Sequence, residues 1–209
     1  MRQGVANSNQ RVGIFVDVSN LYHSAKNLYQ GRVNYAELIK HLVGDRQLIR
    51  AMAYVVKSEG VEPQHSSRET AAQNRARLAA SAASADMIGN GGSSEASFFE
   101  ALEKAGFELR MKDLQIFAGG MKKGDWDVGI AVDAIRMMPS LDVVILVTGD
   151  GDFVPLVNYL KWGGGCVVEV ASFRRSASSK IVEAADEFIN IETIPRAIMK
   201  SRYRRTTRQ

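Results

Sequence analysis

The sequence contains few of the residues that build disulfides and zinc sites. Among its 209 residues there is one cysteine, Cys166, and three histidines. A single cysteine excludes an internal disulfide and fits a reducing compartment, so we expect a cytoplasmic protein. The histidines, His23, His41 and His65, show no spacing typical of metal ligands.

Long hydrophobic runs are also missing. No apolar run approaches the roughly 18 residues that a membrane-spanning helix needs, and residues 1–10 are polar. We therefore expect no membrane partner, no export signal and a flexible N-terminus over residues 1–10. The glycine-rich loop that cradles phosphates, Gly-x-x-x-x-Gly-Lys, is absent as well.

The positive charge is unevenly distributed. The formal net charge is +4 and the isoelectric point is about 9.2. Six basic residues and no acidic residue lie between Arg196 and Gln209, which leaves a formal charge of −2 for the remainder. We therefore predict a basic C-terminal tail over residues 193–209, outside the folded domain.

Buried strands alternate with helices along the rest of the chain. The clearest strand is Val143–Val147, a continuous apolar run without polar alternation, which is typical of a strand covered on both faces. Such alternation predicts one doubly wound α/β domain over residues 11–192, with helices on both faces of about five mostly parallel strands. Residues 58–94, rich in Ala, Ser and Gly, are predicted to form a mobile insertion, and Asp113–Lys123 a short hairpin or a loop.

Local patterns predict where the helices begin and which face they bury. Ser19 is a candidate N-cap for the helix after the first strand, and Asp152 for the helix from Phe153 to Trp162. The helix before Pro139 carries apolar residues at helical spacing, which predicts a face buried against the sheet. These residues are Val128, Ala131, Val132, Ile135 and Met138.

Carboxylates follow the predicted strands or open a helix at the same edge of the sheet. Ligands of open α/β sheets bind at this edge, outside the carboxyl ends of the strands. The candidates are Asp17, Asp127, Asp150 and Asp152. Asp133 is about 240° away from Asp127 around a helix, so it is less certain. Carboxylates without His or Cys partners suit Mg²⁺ or Mn²⁺, which could polarise a phosphodiester and activate a water.

Other polar residues near these carboxylates have two interpretations each. Asn20 could orient a phosphate or a metal-bound water, or it could satisfy backbone groups at a helix end. Thr148 could hydrogen-bond a carboxylate or end its strand. Lys122 and Lys123 could hold phosphate or form a solvated pair.

Three motifs resemble those of the NYN domain family, in its LabA-like (DUF88) branch, a relative of the PIN-domain nucleases. They are Val16-Asp17-Val18-Ser19-Asn20, Lys123-Gly124-Asp125-Trp126-Asp127-Val128 with Asp133, and Leu146-Val147-Thr148-Gly149-Asp150-Gly151-Asp152-Phe153. Ala185-Asp186-Glu187-Phe188 also resembles that branch, and the resemblance spans residues 11–192. The long insertion departs from the family pattern.

The resemblance implies a PIN-like three-layer fold and a metal-dependent ribonuclease. The acidic and metal-binding site would be Asp17, Asp127, Asp150 and Asp152, with Asn20, Thr148 and Asp133 in support. RNA would be attracted by Lys122, Lys123, Arg174, Arg175 and the tail. A non-catalytic RNA-binding or regulatory adaptor is the alternative. A homodimer is one oligomeric state that the sequence allows.

Overall fold

A computed structural model describes residues 8–57, 92–116 and 122–200. The predictions for the N-terminus and for the insertion fall almost entirely outside these ranges. The described part is organised around one central sheet whose strands run in the order β4-β3-β1-β7-β8-β9. Each neighbouring pair in this sheet is parallel. The strands are β1 Arg11–Asp17, β3 Gln47–Lys57, β4 Glu108–Asp113, β7 Val143–Val147, β8 Val167–Ser172 and β9 Glu187–Asn190.

Helices cover both faces of this sheet and make a three-layer α/β domain. The first face packs against α1 Val18–Tyr29, α2 Tyr35–Val43 and α3 Gly92–Lys104. The second face packs against α4 Asp127–Met137, α5 Val154–Asn158 and α6 Ser179–Ala184. Residues alternate between the two cores along β1, with Ile14 and Val16 in the first and Phe15 in the second. No helix within the described ranges has the length and apolar character needed to cross a membrane.

The predicted fold class is confirmed, and the sheet is wider than expected. About five strands were predicted, and the sheet has six, with β9 at one edge. The described residues also form two separate, two-stranded antiparallel sheets: β2 Gly31–Val33 with β10 Ile198–Lys200, and β5 Gln115–Ile116 with β6 Lys122–Lys123. The β5–β6 pair is a hairpin, which is one of the two alternatives for this segment. The helix predicted from Phe153 to Trp162 is divided into a 3₁₀ turn, α5 and a π-helical turn.

The C-terminal boundary of the domain lies later than predicted. Ile194 and Ala197 are buried in the first core, and β10 pairs with β2. Residues 193–200 therefore belong to the fold, and the rest of the predicted tail, residues 201–209, lies outside the described residues. The basic composition of this segment hid the short apolar contribution that Ile194, Ala197 and Ile198 make to the core.

Helix α4 buries a different stripe from the one predicted. Val128 is 74% exposed, Val132 47% and Ile135 37%, whereas Ile130 and Ala134 are buried. Trp126 lies over the helix at Gly129, where a β-carbon would collide with the indole ring. The indole contact helps to fix the rotation of the helix, which apolar spacing alone does not determine. The predicted inward face is therefore wrong for Val128, Val132 and Ile135.

A buried ion pair connects the loop after α2 to the middle of β8. Arg46 donates from both terminal nitrogens to Glu169, with Nη2 3.0 Å from Oε2. The two side chains are 10% and 7% exposed. By contrast, Arg50 and Glu108 form a surface pair at 2.9 Å with side chains 49% and 51% exposed.

We predict that Arg46→Met lowers the free energy of unfolding by about 3–5 kcal/mol, because Glu169 would keep a buried, unpaired charge. The matched change Arg50→Met should cost less than about 1 kcal/mol, since water screens that pair. Urea denaturation of both variants measures the difference. Equal losses would show that burial does not distinguish these pairs.

Candidate active site

The order of the strands creates a crevice between β1 and β7. From β1 the chain proceeds to β3 and β4 on one side, and from β7 it proceeds to β8 and β9 on the other. Ligands of doubly wound sheets bind where the order reverses, outside the carboxyl ends of the strands. Asp17 ends β1, and Thr148 to Asp152 directly follow β7. The predicted strand-end carboxylates therefore flank this crevice.

Asp17 has a structural task in addition to its candidate role. It is the N-cap of α1, and its Oδ1 accepts a hydrogen bond from the Asn20 backbone N–H at 3.0 Å. The other oxygen, Oδ2, accepts from the Thr148 hydroxyl at 3.5 Å. The prediction that Ser19 caps this helix is wrong. The helix begins two residues earlier, and the last residue of the strand already carries a side chain that caps as well as serine does.

The turn after β7 is capped by Asp150, not by Asp152. Asp150 Oδ1 accepts from the Asp152 N–H at 2.9 Å and begins the 3₁₀ turn Gly151–Phe153. The Asp150 N–H donates to the Thr148 hydroxyl oxygen at 3.2 Å. Asp152 is exposed. The N-cap predicted at Asp152 is wrong because helical turns start before Phe153, which moves the acceptor to Asp150.

The backbone of this turn is hydrogen-bonded to α1 on one side and to the loop after β8 on the other. Asn20 Oδ1 accepts from the Gly149 N–H at 3.0 Å, and the Ser178 N–H donates to the Gly149 oxygen at 2.9 Å. A β-carbon at Gly149 would lie 2.8 Å from Ser172 Oγ and 3.1 Å from the Ala177 Cα. Glycine is therefore required by space at this position. The Asn20 side-chain oxygen therefore satisfies a backbone N–H, which is one of the two roles considered for it.

Asp127 reaches the same edge of the sheet from α4. It is the first residue of that helix, whose N-cap, Trp126, makes no side-chain capping hydrogen bond. The helix start is held instead by the Trp126 indole N–H, which donates to the Val55 oxygen in β3 at 2.9 Å. The indole also meets Tyr54 edge-on, with ring centroids 5.4 Å apart. Sequence reasoning did not find Trp126; the available signal was Gly129, three residues later in the helix.

Asp133 is engaged elsewhere. Its Oδ2 accepts from the Tyr54 hydroxyl at 3.0 Å and lies 3.4 Å from Arg110 Nε. These partners belong to β3 and to the edge strand β4. The rotation and rise that separate Asp133 from Asp127 in a helix explain why the two side chains do not share one set of partners. Asp133 therefore anchors α4 to the sheet.

The carboxylates at the crevice act on one another electrostatically. Burial raises the pKa of Asp17 from its ordinary value of 3.8 to about 6, and the charges of Asp127 and Asp150 add to the shift. The pKa of Asp127 is also raised, first by burial and then by the charges of Asp150, Asp125 and Asp152. Hydrogen bonds from Asn20 and Thr148 oppose the shift at Asp17. Burial is therefore the main cause of both shifts, and the neighbouring carboxylates add to it.

This donor set has the chemistry of a site for a hard divalent cation. It offers carboxylate oxygens, which Mg²⁺ and Mn²⁺ prefer. As the described part of the chain is placed, no three His, Cys, Asp or Glu side chains are grouped closely enough to hold a metal ion. The metal site predicted at Asp17, Asp127, Asp150 and Asp152 thus stays a prediction.

The predicted RNA-attracting residues lie in two places. Arg174 and Arg175 are exposed in the loop after β8. The Arg174 guanidinium lies 5.3 Å from the Phe188 ring centroid, and the Arg174 N–H donates to Asn190 Oδ1 at 3.3 Å. Lys122 and Lys123 form β6 and precede α4 by a few residues, but their side chains lie outside the described part of the structure.

Comparisons with known proteins agree with this architecture. The family model described as "NYN domain" matches residues 11–192. The solved structure of VPA0982, a protein of unknown function from Vibrio parahaemolyticus, is 28% identical over 89% of this chain and 95% of that chain, with a TM-score of 0.67. The T5 D15 protein, co-crystallised with metal ions, is 18% identical over 83% of this chain and 59% of that one, with a TM-score of 0.41. Among curated proteins, none matches the chain.

The raised pKa of Asp17 makes the free energy of unfolding depend on pH. The folded protein keeps the Asp17 proton up to a pH of about 6, whereas 3.8 is the ordinary value. Ionisation of Asp17 therefore destabilises the fold as the pH rises between these values, and above pH 6 the penalty is at most roughly 3 kcal/mol. Asp17→Asn keeps a capping oxygen and removes the charge. We expect it to raise the metal-free free energy of unfolding at neutral pH and to have little effect below pH 3.8.

Asp142→Asn is the control with the opposite sign. Arg11 hydrogen bonds hold the pKa of Asp142 at about 2, so its carboxylate stabilises the fold at neutral pH. Denaturation of both variants across the acidic range measures the two trends. If Asp17→Asn were less stable than the wild type at neutral pH, the proposed charge crowding would be wrong.

Proposed function

The chain belongs to the NYN domain family, and we propose that it is a metal-dependent endoribonuclease that cleaves RNA phosphodiesters at the carboxylates of the crevice. The family match covers residues 11–192 and contains every carboxylate of the candidate site. The three motifs at Asp17, Asp127 and Asp150 also support a place in the LabA-like branch. A family alone does not establish turnover, so the proposal depends on the site.

The observation that supports it most is the electrostatic crowding of Asp17, Asp127 and Asp150. These residues come from β1, α4 and the turn after β7; burial raises the pKa of Asp17 and of Asp127, and the charge of Asp150 adds to both shifts. Grouped carboxylates cost free energy unless a cation or a proton is shared among them. Residues that serve only stability would not need this arrangement, because caps for α1 and for the 3₁₀ turn require a single acceptor each.

Four carboxylates would form the metal-ligand set. Asp17, Asp127 and Asp150 would hold Mg²⁺ or Mn²⁺, and the exposed Asp152 would complete the ligand set. When bound, such an ion polarises the phosphodiester and lowers the pKa of a water for in-line attack. Thr148 donates to Asp17 and accepts from the Asp150 N–H, so it fixes two carboxylate-bearing residues relative to each other.

Basic side chains would bring the anionic substrate to this negatively charged crevice. Arg174 and Arg175 lie in the loop that packs against the Gly149 turn, and β6 carries Lys122 and Lys123. Contacts between such cations and RNA phosphates release counterions and weaken with salt. They position the RNA without reading its sequence.

Two substitutions at candidate ligands and one matched control test this proposal. Asp127→Asn and Asp150→Asn each remove one candidate ligand, and we expect each to lower kcat for RNA cleavage with Mn²⁺ by about 100-fold or more. Asp133→Asn changes an aspartate in the same helix that contacts Tyr54 and Arg110 instead. It should reduce stability but keep kcat within about tenfold of the wild type.

Cleavage of labelled RNA by each purified protein is measured with Mn²⁺, in the presence and absence of EDTA. Equal cleavage by the wild type, Asp127→Asn and Asp150→Asn would contradict the proposed site. RNA binding by the wild type without any cleavage would favour the regulatory adaptor.

A further inference from the structure

Five large hydrophobic side chains on the second face of the domain are exposed and belong to two neighbouring elements. Val128, Val132 and Ile135, at positions i, i+4 and i+7 of α4, are 74%, 47% and 37% exposed and share one side of the helix. Tyr159 and Trp162, 49% and 84% exposed, belong to the π-helical turn Tyr159–Gly163. The other exposed large hydrophobic side chains in the described ranges are scattered, one in each of β3, β4, β8 and β10. Scattered residues of this kind are normal, whereas a contiguous group marks an interaction surface.

Helix α4 presents part of this group towards α5. Ala134 faces the sheet in the second core. Asp133, the residue before it, contacts Tyr54 and therefore lies on the flank towards β3. Ile135, the residue after it, lies on the opposite flank, because successive residues of a helix are about 100° apart. Val132 is two residues before Ala134, about 200° away around the helix, and points away from the sheet.

The π-helical turn presents Tyr159 towards α4 for a similar reason. Leu160 is buried in the second core. Lys161, the residue after it, donates to the Ala184 oxygen at 2.6 Å and therefore points towards α6. Tyr159, the residue before it, lies on the opposite flank. This flank faces α4, because α4 leads into β7 and α6 leads into the edge strand β9.

The two elements are in direct contact at one end. A β-carbon at Gly164 would collide with Met138 Sδ, so the chain just after the π-helical turn packs against the chain just after α4. Met138 follows Ile135 by three residues, and Gly164 follows Trp162 by two. One continuous surface therefore contains the five exposed hydrophobic side chains. We call it the α4–α5 surface; it consists of Val128, Val132, Ile135, Tyr159 and Trp162.

The two ends of α4 carry opposite charges beside this surface. Asp125 is exposed just before the helix, and Arg136 is exposed in its last turn. In a two-fold arrangement of antiparallel α4 helices centred on Val132, Val128 of each copy lies near Ile135 of the other. Arg136 then lies about 4.5 Å along the helix axis from Asp125 of the second copy, a distance that an arginine side chain spans. The surface is therefore complementary to itself in both apolar contact and charge.

The residue types of the α4–α5 surface are those that dominate protein interfaces. Trp, Tyr and Arg are the commonest residues at the energetic centres of such contacts. Trp162 is 84% exposed, and an aromatic side chain buries roughly 150–250 Å². A specific interface needs about 800 Å² per partner, so the tryptophan and its four apolar neighbours can supply a large share.

The longest parts of the chain outside the described ranges adjoin elements on the other face. They are residues 58–91 and 201–209. Helix α3, which follows the first of these segments, and β10, which precedes the second, contribute to the first core. The α4–α5 surface is on the second face, so a second copy of the chain can pack there without displacing either element.

We propose that the α4–α5 surface is the interface of a homodimer, in which two copies of α4 pack antiparallel across a two-fold axis near Val132. Trp162, at the Met138 end of the surface, then covers Val128 of the second copy. Dimerisation does not depend on the proposed function, since none of the five surface residues is a candidate metal ligand.

Sedimentation velocity of the full-length chain measures the oligomeric state. We expect the wild type to sediment at micromolar concentration with twice the 22.9 kDa mass of one chain. Val132→Glu places two like charges across the axis, which should raise the dimer dissociation constant by about 100-fold or more. Trp162→Ser removes the largest apolar contact and should raise it by about tenfold or more.

Met111→Glu is the matched control, because Met111 is 47% exposed, as Val132 is, but lies on β4 outside this surface. It should dimerise like the wild type. Arg136→Asp and Asp125→Arg should each weaken the dimer, and the double variant should restore it, because the exchange recreates the opposite charges. Circular dichroism identifies any variant that fails to fold.

Three results would overturn the proposal. The first is a wild type that remains monomeric at about 100 μM, well above the dissociation constant of a specific dimer. The second is an equal dissociation constant for Met111→Glu and for the variants at Val132 and Trp162. The third is a double charge variant that dimerises no better than either single variant.

Discussion

Repulsion among carboxylates at the edge of a parallel sheet is the constraint on which the other features of the site depend. Asp17, Asp127 and Asp150 come from separate elements; burial raises the pKa of Asp17 and Asp127, and neighbouring carboxylate charges raise it further. Such an arrangement must be held by surrounding contacts, because the charges would otherwise move apart. Thr148, Asn20 and the loop after β8 supply these contacts through hydrogen bonds to Asp17 and to the Gly149 turn.

Elements on opposite faces of the sheet hold the site in position. On the first face, α1 is tied to the turn after β7 through Asn20. On the second face, α4 is fastened at Trp126 to Val55 and at Asp133 to Tyr54, and both partners belong to β3. The position of Asp127 therefore depends on an indole and on a buried tyrosine rather than on a conventional capping residue. Rigid neighbours of this kind keep reacting groups within the narrow geometry that catalysis requires.

The sequence predicted features that depend on local pattern and missed those that depend on tertiary contact. The apolar run Val143–Val147 was correctly read as a buried strand, and the placement of Asp150 just after its end followed from it. The N-cap was predicted at Asp152 and lies at Asp150, because a helix start two residues earlier changes the capping acceptor. The buried face of α4 was wrong because Trp126 packs over Gly129, a contact that periodicity does not encode. The wider sheet and the packed residues up to Lys200 also depend on pairings between distant segments.

We expect the neighbouring carboxylates to share one kind of ligand, a divalent cation that replaces a proton. Calorimetric titration with Mn²⁺ near pH 6, in two buffers of different ionisation enthalpy, tests it most directly, because the pKa of Asp17 is about 6. We expect the wild type to bind Mn²⁺ and release protons, and Asp17→Asn to release fewer. Absence of Mn²⁺ binding, or binding of the same strength and proton release in Asp17→Asn, would contradict it.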